Sequence, residues 1–237
     1  EMDPKGFIIA RIDRKKKFPV TLLVKALGEE FQSDENVIKL FYETEKVKLA
    51  NDEVLDSLKG RRVAQAVVSK ETGEIILATG GRINIDTVDT FKEENIKEVE
   101  LIKFPNDKED AYLVNSLEKD RELLDEDREG ELLDYQKAIK GIHRIMKQGE
   151  PTTLENAASE FDRMFFNPKT YSLGGVGRYM INKKFGYAEA EKSDTLTRKD
   201  IIETVKYILY LIAEADGFLV DDIDHLGNRR IRCVGEL

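Results

Sequence analysis

Two apolar rhythms alternate along this chain, and together they limit what it can fold into. Apolar residues recur at three- and four-residue steps, the spacing of one helix face, in several separate stretches. Leu22, Leu23, Ala26 and Leu27 form one, with Gly28 placed to close it, and Val37, Ile38, Leu40 and Phe41 form a second, capped by Ser33 or Asp34. A longer run takes in Leu132, Leu133, Ala138, Ile139, Ile142, Ile145 and Met146 before Gly149 and Pro151 break it. Thr153 then caps a helix with Leu154, Ala157, Ala158, Phe161, Met164 and Phe165 on its buried side. The strongest pattern follows Thr197, with Ile201, Ile202, Val205, Ile208, Leu209 and Ile212 on a broad face and Gly217 beyond it. Its opening, Thr197-Arg198-Lys199-Asp200, has the form of a capping box with Asp in the usual Glu position.

Between residues 59 and 104 the period shortens. RRVAQAVVS, IILATGG and VELIKF read as strands, with ETGE (Glu71 to Glu74) as a hairpin-type turn and a short helix around Asp86. The expected class is therefore α+β: a mainly helical body, residues 1–47 and 115–237, interrupted by a small β-rich insertion over 48–114. Apolar residues make up 41% of the 237, enough for a core and too many for a disordered chain.

Charge separates into patches. The net charge of −9 argues against nucleic-acid binding if taken as a sum. Local distribution decides contacts, however. An acidic block, EKDRELLDEDREGELLD, fills residues 118–134, while RIDRKKK places five cations in seven positions from Arg11 to Lys17, and NRRIR follows near the end. The basic run is either a solvated turn or a phosphate contact. The single cysteine, Cys233, forms no internal disulfide and is read as an inert thiol in a reducing cytoplasm. No apolar run approaches the ~18 residues that span a bilayer, so no membrane partner is expected. The chain starts at Glu1 directly within an apolar pattern and stops at VGEL without a polar tail, and is expected to be a piece of a larger protein.

Candidate chemistry is sparse. Gly174, Gly175 and Gly177 in LGGVGR match neither phosphate-loop pattern and read as a tight turn, with Arg178, Lys183 and Lys184 beside it able to touch phosphates. Asp221, Asp222 and Asp224 lack the EF-hand frame and read as a turn of paired charges, with no metal site. His143 and His225 have no ligand partners at metal spacing, and His143 reads as helix surface. From the residues alone, two classes stay open: a non-catalytic module of a nucleic-acid machine, or a protein-interaction domain acting through its acidic block.

The segment DDIDHLGNRRIRCVGEL closely resembles a stretch of the β subunit of bacterial DNA-directed RNA polymerases. RIDRKKKFPVTLLVKALG, RIMKQGEPTTLENA, FFNPKTYSLGGVGRYMINKKFG and the Asp200-Ile201-Ile202 helix resemble four further blocks of that family in the same order. The resemblance covers essentially the whole chain. It implies the β lobe, the second domain of the subunit, with residues 48–114 as the external β-rich insertion. It implies a nucleotidyltransferase assembled from two α subunits, β′, ω and a σ factor, whose catalytic Mg²⁺ is held by β′, so that no cofactor and no catalytic residue is expected in this piece. The lobe would wall the downstream DNA cleft. Ile223, Asp224 and Arg229 match residues of a pocket for a flipped non-template base. The basic turn with Arg11, Arg14 and Lys15, and the pair Lys147 and Gly149, match elements near single-stranded DNA. Lys147 and Thr170 stand where the family often has Arg, and Gly174 where it often has Ser. The alternative expectation is a docking surface for transcription regulators on the acidic block or the insertion.

Overall fold

The computed structural model describes residues 1–13, 15–105, 111–125, 132–188, 190–226 and 234–236. The fold is α+β, and the chain divides into two compact units, residues 1–138 and 139–237.

The first unit opens with an antiparallel sheet of β1 (Met2–Asp3), β2 (Phe7–Asp13) and β3 (Lys16–Pro19). Alternation along β2 and β3 buries Ile8 and Phe18, and Ile9 beside them is buried too. Pro19 leads into α1 (Val20–Ala26), every residue of which is buried. Helix α1 ends on Leu27, and Gly28 is not its cap: its backbone is extended, with φ 163°. Ser33 caps α2 (Asp34–Phe41), its hydroxyl accepting from the Asn36 N–H.

Helix α5 (Tyr112–Asp125) was not anticipated, because the sequence reading placed only an acidic block here. It buries Leu113, Val114, Ser116, Leu117 and Asp120, a helical stripe obscured by charged neighbours and by the polar residues inside it. Ser116 Oγ accepts from the Ile8 N–H at 2.9 Å and Asn115 Nδ2 donates to the Gly6 carbonyl at 2.8 Å, which seats α5 on β2.

Between α2 and α5, β4 (Glu43–Lys48) pairs antiparallel with β7 (Glu98–Lys103) along all six residues. Helices α3 (Asp52–Ser57) and α4 (Ile85–Glu93) and the short strands β5 (Val67–Val68) and β6 (Ile75–Leu77) complete this region. Leu55, Leu58, Val63, Val67, Ile83, Val88, Phe91, Val99 and Leu101 pack into one buried cluster there. RRVAQAVVS is largely not strand. Arg62 and Val63 form isolated bridges, to Arg82 and Leu101, and Val67–Val68 is β5, which pairs with β6. The paired glycines turn where the backbone must: Gly80 has φ +79°, and a Cβ on it would sit 2.6 Å from Val114 Cγ1 on α5.

Helix α6 (Asp134–Met146) runs from the first unit into the second. The second unit continues with α7 (Leu154–Phe165), capped by Thr153, then α8 (Gly174–Phe185) and α9 (Arg198–Ile212). Helix α8 corrects the reading of LGGVGR as a tight turn: only Gly174 takes a positive φ, +67°, and the chain is helical from it onward. The Thr197 and Asp200 capping box of α9 is present with both hydrogen bonds, and α9 ends on Ala213, ahead of Gly217. Among the described residues no helix is long and apolar enough to cross a membrane.

Candidate nucleic-acid interface

The packing of α8 on α9 begins at a buried arginine. Arg178 was expected beside phosphates; instead its guanidinium is 5% exposed and forks onto both carboxylate oxygens of Asp200 at 3.1 and 3.0 Å. Its remaining donors reach the backbone carbonyls of Ser193, at 2.8 Å, and Thr195. Asp200 also accepts the Thr197 N–H at 2.7 Å and the Tyr187 hydroxyl at 2.8 Å. Burial, reinforced by the Asp200 carboxylate, holds the Tyr187 phenol well above its usual range. Every polar group here has a partner, so this cluster is structural.

The same helices position the Asp221–Leu226 turn. Beyond α9, Glu214 and Gly217 take positive φ, +51° and +88°. The turned chain lays Phe218 on Tyr210, with centroids 4.6 Å apart, and edge-on to Tyr207 at 5.0 Å. The Tyr207 hydroxyl donates to the Leu219 carbonyl at 2.9 Å and accepts its N–H at 3.1 Å. Lys184 of α8 stands 4.1 Å from the Tyr207 ring centre and pairs with Asp221. Two side chains from two helices thus fix where this segment starts. The Asp222 carboxylate accepts the Asp224 N–H at 2.9 Å, and the His225 N–H donates to the Asp222 carbonyl at 3.3 Å, closing a short Asx-type turn. Its outward members are solvent-facing: Ile223 is 78% exposed, and Asp224 is exposed. Arg229 lies outside the described residues.

The remaining expected contacts sit in two other settings. Lys147 and Gly149 share the turn after α6. There the Lys147 N–H donates to the His143 carbonyl at 2.8 Å, Lys147 Nζ stands 3.8 Å from Glu150, and Gly149 has φ +88°. His143 is buried beside Thr152, at 3.3 Å, rather than on the helix surface. In the first unit Arg11 lies on β2 opposite Lys17, and the turn leaves Lys15 exposed; Arg14 is outside the described residues. Much of this basic patch is neutralised locally, Arg11 by Glu1 at 3.0 Å and Lys17 by Asp3 at 3.3 Å. The reading of RIDRKKK as an open phosphate-binding run is weakened accordingly.

Sequence reasoning missed a second buried charge cluster. Lys25 on α1 is 2% exposed and pairs with Asp34 and with Asp120, at 2.9 Å to the latter, while Arg121 bonds the other Asp34 oxygen at 2.6 Å and the Thr79 carbonyl at 2.6 Å. Nothing in the sequence marks a lysine as buried when its partner lies 95 residues away. Among the described residues no group of three or more His, Cys, Asp or Glu side chains is arranged to hold a metal ion.

The family described as RNA polymerase Rpb2, domain 2, matches residues 106–232. The chain belongs to this family. Its match takes in α5 to α9 and the Asp221–Leu226 turn, so the anchored turn is part of the Rpb2 domain 2 fold. Curated relatives are named DNA-directed RNA polymerase subunit beta. One from Leptospira biflexa is 49% identical over the full length of this chain, one from Flavobacterium psychrophilum 37% over 99%, and one from Borreliella afzelii 34% over 98%. The chain spans about a fifth of the length of each, 19–20%. It is thus similar throughout to one segment of bacterial polymerase β subunits.

Proposed function

We propose that this Rpb2 domain 2 chain is a non-catalytic wall of the downstream DNA cleft in a DNA-directed RNA polymerase. In this reading its Asp221–Leu226 turn forms part of a pocket for an unpaired non-template base. The observation that carries the reading is the turn itself: Tyr207 and Lys184 hold its start rigidly while Ile223 and Asp224 remain exposed. A carboxylate accepts hydrogen bonds only, so Asp224 suits the adjacent N1–H and N2–H₂ donors of guanine, an edge free only when the strands are open. Ile223 supplies an apolar contact beside it, and Arg229 a guanidinium for the strand. Lys147, Gly149, Arg11 and Lys15 are assigned weaker, backbone-directed contacts.

The partners in this reading are DNA and the α, β′, ω and σ polymerase subunits, in the cytoplasm, with catalytic Mg²⁺ held by β′. The segment 48–114 is assigned as an insertion, supported by the buried cluster it forms largely within itself. Exposed Val68, Ile75 and Ile85 in that segment favour, as a second reading, docking of a regulator there.

The test uses polymerase assembled with the intact β subunit. Asp224→Ala is expected to abolish the preference for guanine at one non-template position of promoter complexes while leaving overall DNA affinity within a few-fold. An unchanged preference sinks the role given to Asp224.

A further inference from the structure

The outward face of α8 has no role in the packing just described. At 3.6 residues per turn, Gly175, Val176, Tyr179 and Lys183 fall within about 100° of arc. All four are exposed, Val176 at 66% and Tyr179 at 62%, while Arg178, outside this arc, is buried. Tyr179 and Val176 together give this side of the helix an aromatic ring beside an aliphatic side chain, both open to solvent. Among the described residues the side chains of Tyr179 and Lys183 have no hydrogen bond, ion pair or ring contact. Helix α8 contains no acidic residue among its 12, in a chain whose net charge is −9. The other two cations of the helix are paired, Arg178 with buried Asp200 and Lys184 with Asp221. Lys183 is left facing solvent without a counter-charge.

We propose that this face carries a single nucleic-acid strand, with Tyr179 stacking on an unpaired base, Val176 extending the apolar platform and Lys183 meeting the backbone phosphate. An aromatic face next to a cation on a helix without carboxylates is the chemistry that single strands select, because every base has a π-face and every linkage a negative charge. Lys184 ties the α8 C-terminal turn to Asp221, so α8 adjoins the start of the Asp221–Leu226 turn. The inference rests on the DNA-cleft reading and extends it from one base to the strand beside it. Base identity is read at Asp224 and not at Tyr179, since stacking does not discriminate bases strongly.

The experiment uses polymerase assembled with the intact β subunit, bound to a forked DNA whose unpaired strand carries 5-iododeoxyuridine at successive positions. Irradiation is expected to crosslink one unpaired position to Tyr179. Tyr179→Ala should weaken fork binding roughly five- to 150-fold whatever the base, and Tyr179→Phe should retain it, since the ring and not the hydroxyl is used. Lys183→Ala should lower the salt dependence of binding by about 0.7 in log–log slope. In an Asp224→Ala enzyme the Tyr179 crosslink should persist. A crosslink with unaltered guanine preference in that variant means that the Asp224 role fails and the α8 role stands. No crosslink at Tyr179, a crosslink only from duplex positions, or unchanged affinity in Tyr179→Ala overturns the proposal.

Discussion

Lys25 and Asp120 show how far a residue's surroundings can depart from its composition. A lysine in the run VTLLVKALG reads as the polar edge of an amphipathic helix, yet its ammonium is enclosed between two carboxylates. Burial works against the charge on Lys25, but Asp120 and Asp34 outweigh it and leave the lysine raised. Burial lifts the Asp120 carboxyl to about 6, with Lys25 pulling the other way. Asp120 is therefore the strained member of the pair: its folded pKa lies above its unfolded value. Its contribution to stability is fully present below about 4 and is lost as the pH rises through about 6. Two consequences can be measured by urea unfolding. Lys25→Met should destabilise by about 3–5 kcal/mol at pH 7, where Asp120 must either stay charged without this partner or bind a proton, and by clearly less at pH 5, where it is already protonated. Replacing both, with Lys25→Met and Asp120→Leu, should restore most of the loss, since the desolvation penalty goes with the charges. A double variant no more stable than Lys25→Met would show that the pair is net favourable.

At the scale of elements, the sequence was legible where one local rule acted alone. The capping box of α9, the Ser33 and Thr153 caps, and the apolar faces of α7 and α9 are all written within a few residues. Helix α5 was hidden because its inward face includes Ser116 and Asp120, whose partners Ile8 and Lys25 lie about a hundred residues away. Helix α8 was hidden by three glycines, and what holds it is the long-range fork of Arg178 on Asp200 rather than helix propensity. Of the candidate site, the Asp221–Leu226 turn was legible in its run of aspartates, and its proposed role came only from family resemblance. Its anchoring by Tyr207 and Lys184 was not, because those contacts join residues 12 and 37 positions apart. The two kinds of support predict different costs. Thr197→Ala removes one hydrogen bond of the capping box and should cost about 1 kcal/mol. Asp200→Ala removes the box and also strands the buried Arg178 guanidinium, so it should cost about 3 kcal/mol or more. Chemical denaturation of the two variants checks the ranking, and equal losses would mean that Arg178 finds another partner.

For the whole molecule, the net charge of −9 is a poor guide to partners, because the charges that could meet DNA are local and partly neutralised within the fold. The packing of the chain carries more information. Residues 1–138 and 139–237 each form a compact unit, and each has its own buried residues: Leu101 at the centre of the β4–β7 cluster in one, Phe161 and Val205 in the other. Units with separate cores open separately, and substitutions without shared partners act additively. The division falls within helix α6, at the Ala138–Ile139 step. Leu101→Ala should cost about 2–5 kcal/mol as a large-to-small change at a fully buried site. Native-state hydrogen exchange should then show protection falling across β7 and α4 while the amides of α7 and α9 keep theirs. The amides of α6 decide how independent the units are. If only its first turn, residues 134–138, loses protection, the division holds at the Ala138–Ile139 step. An equal loss along all of α6, α7 and α9 would mean that the chain unfolds as one cooperative body.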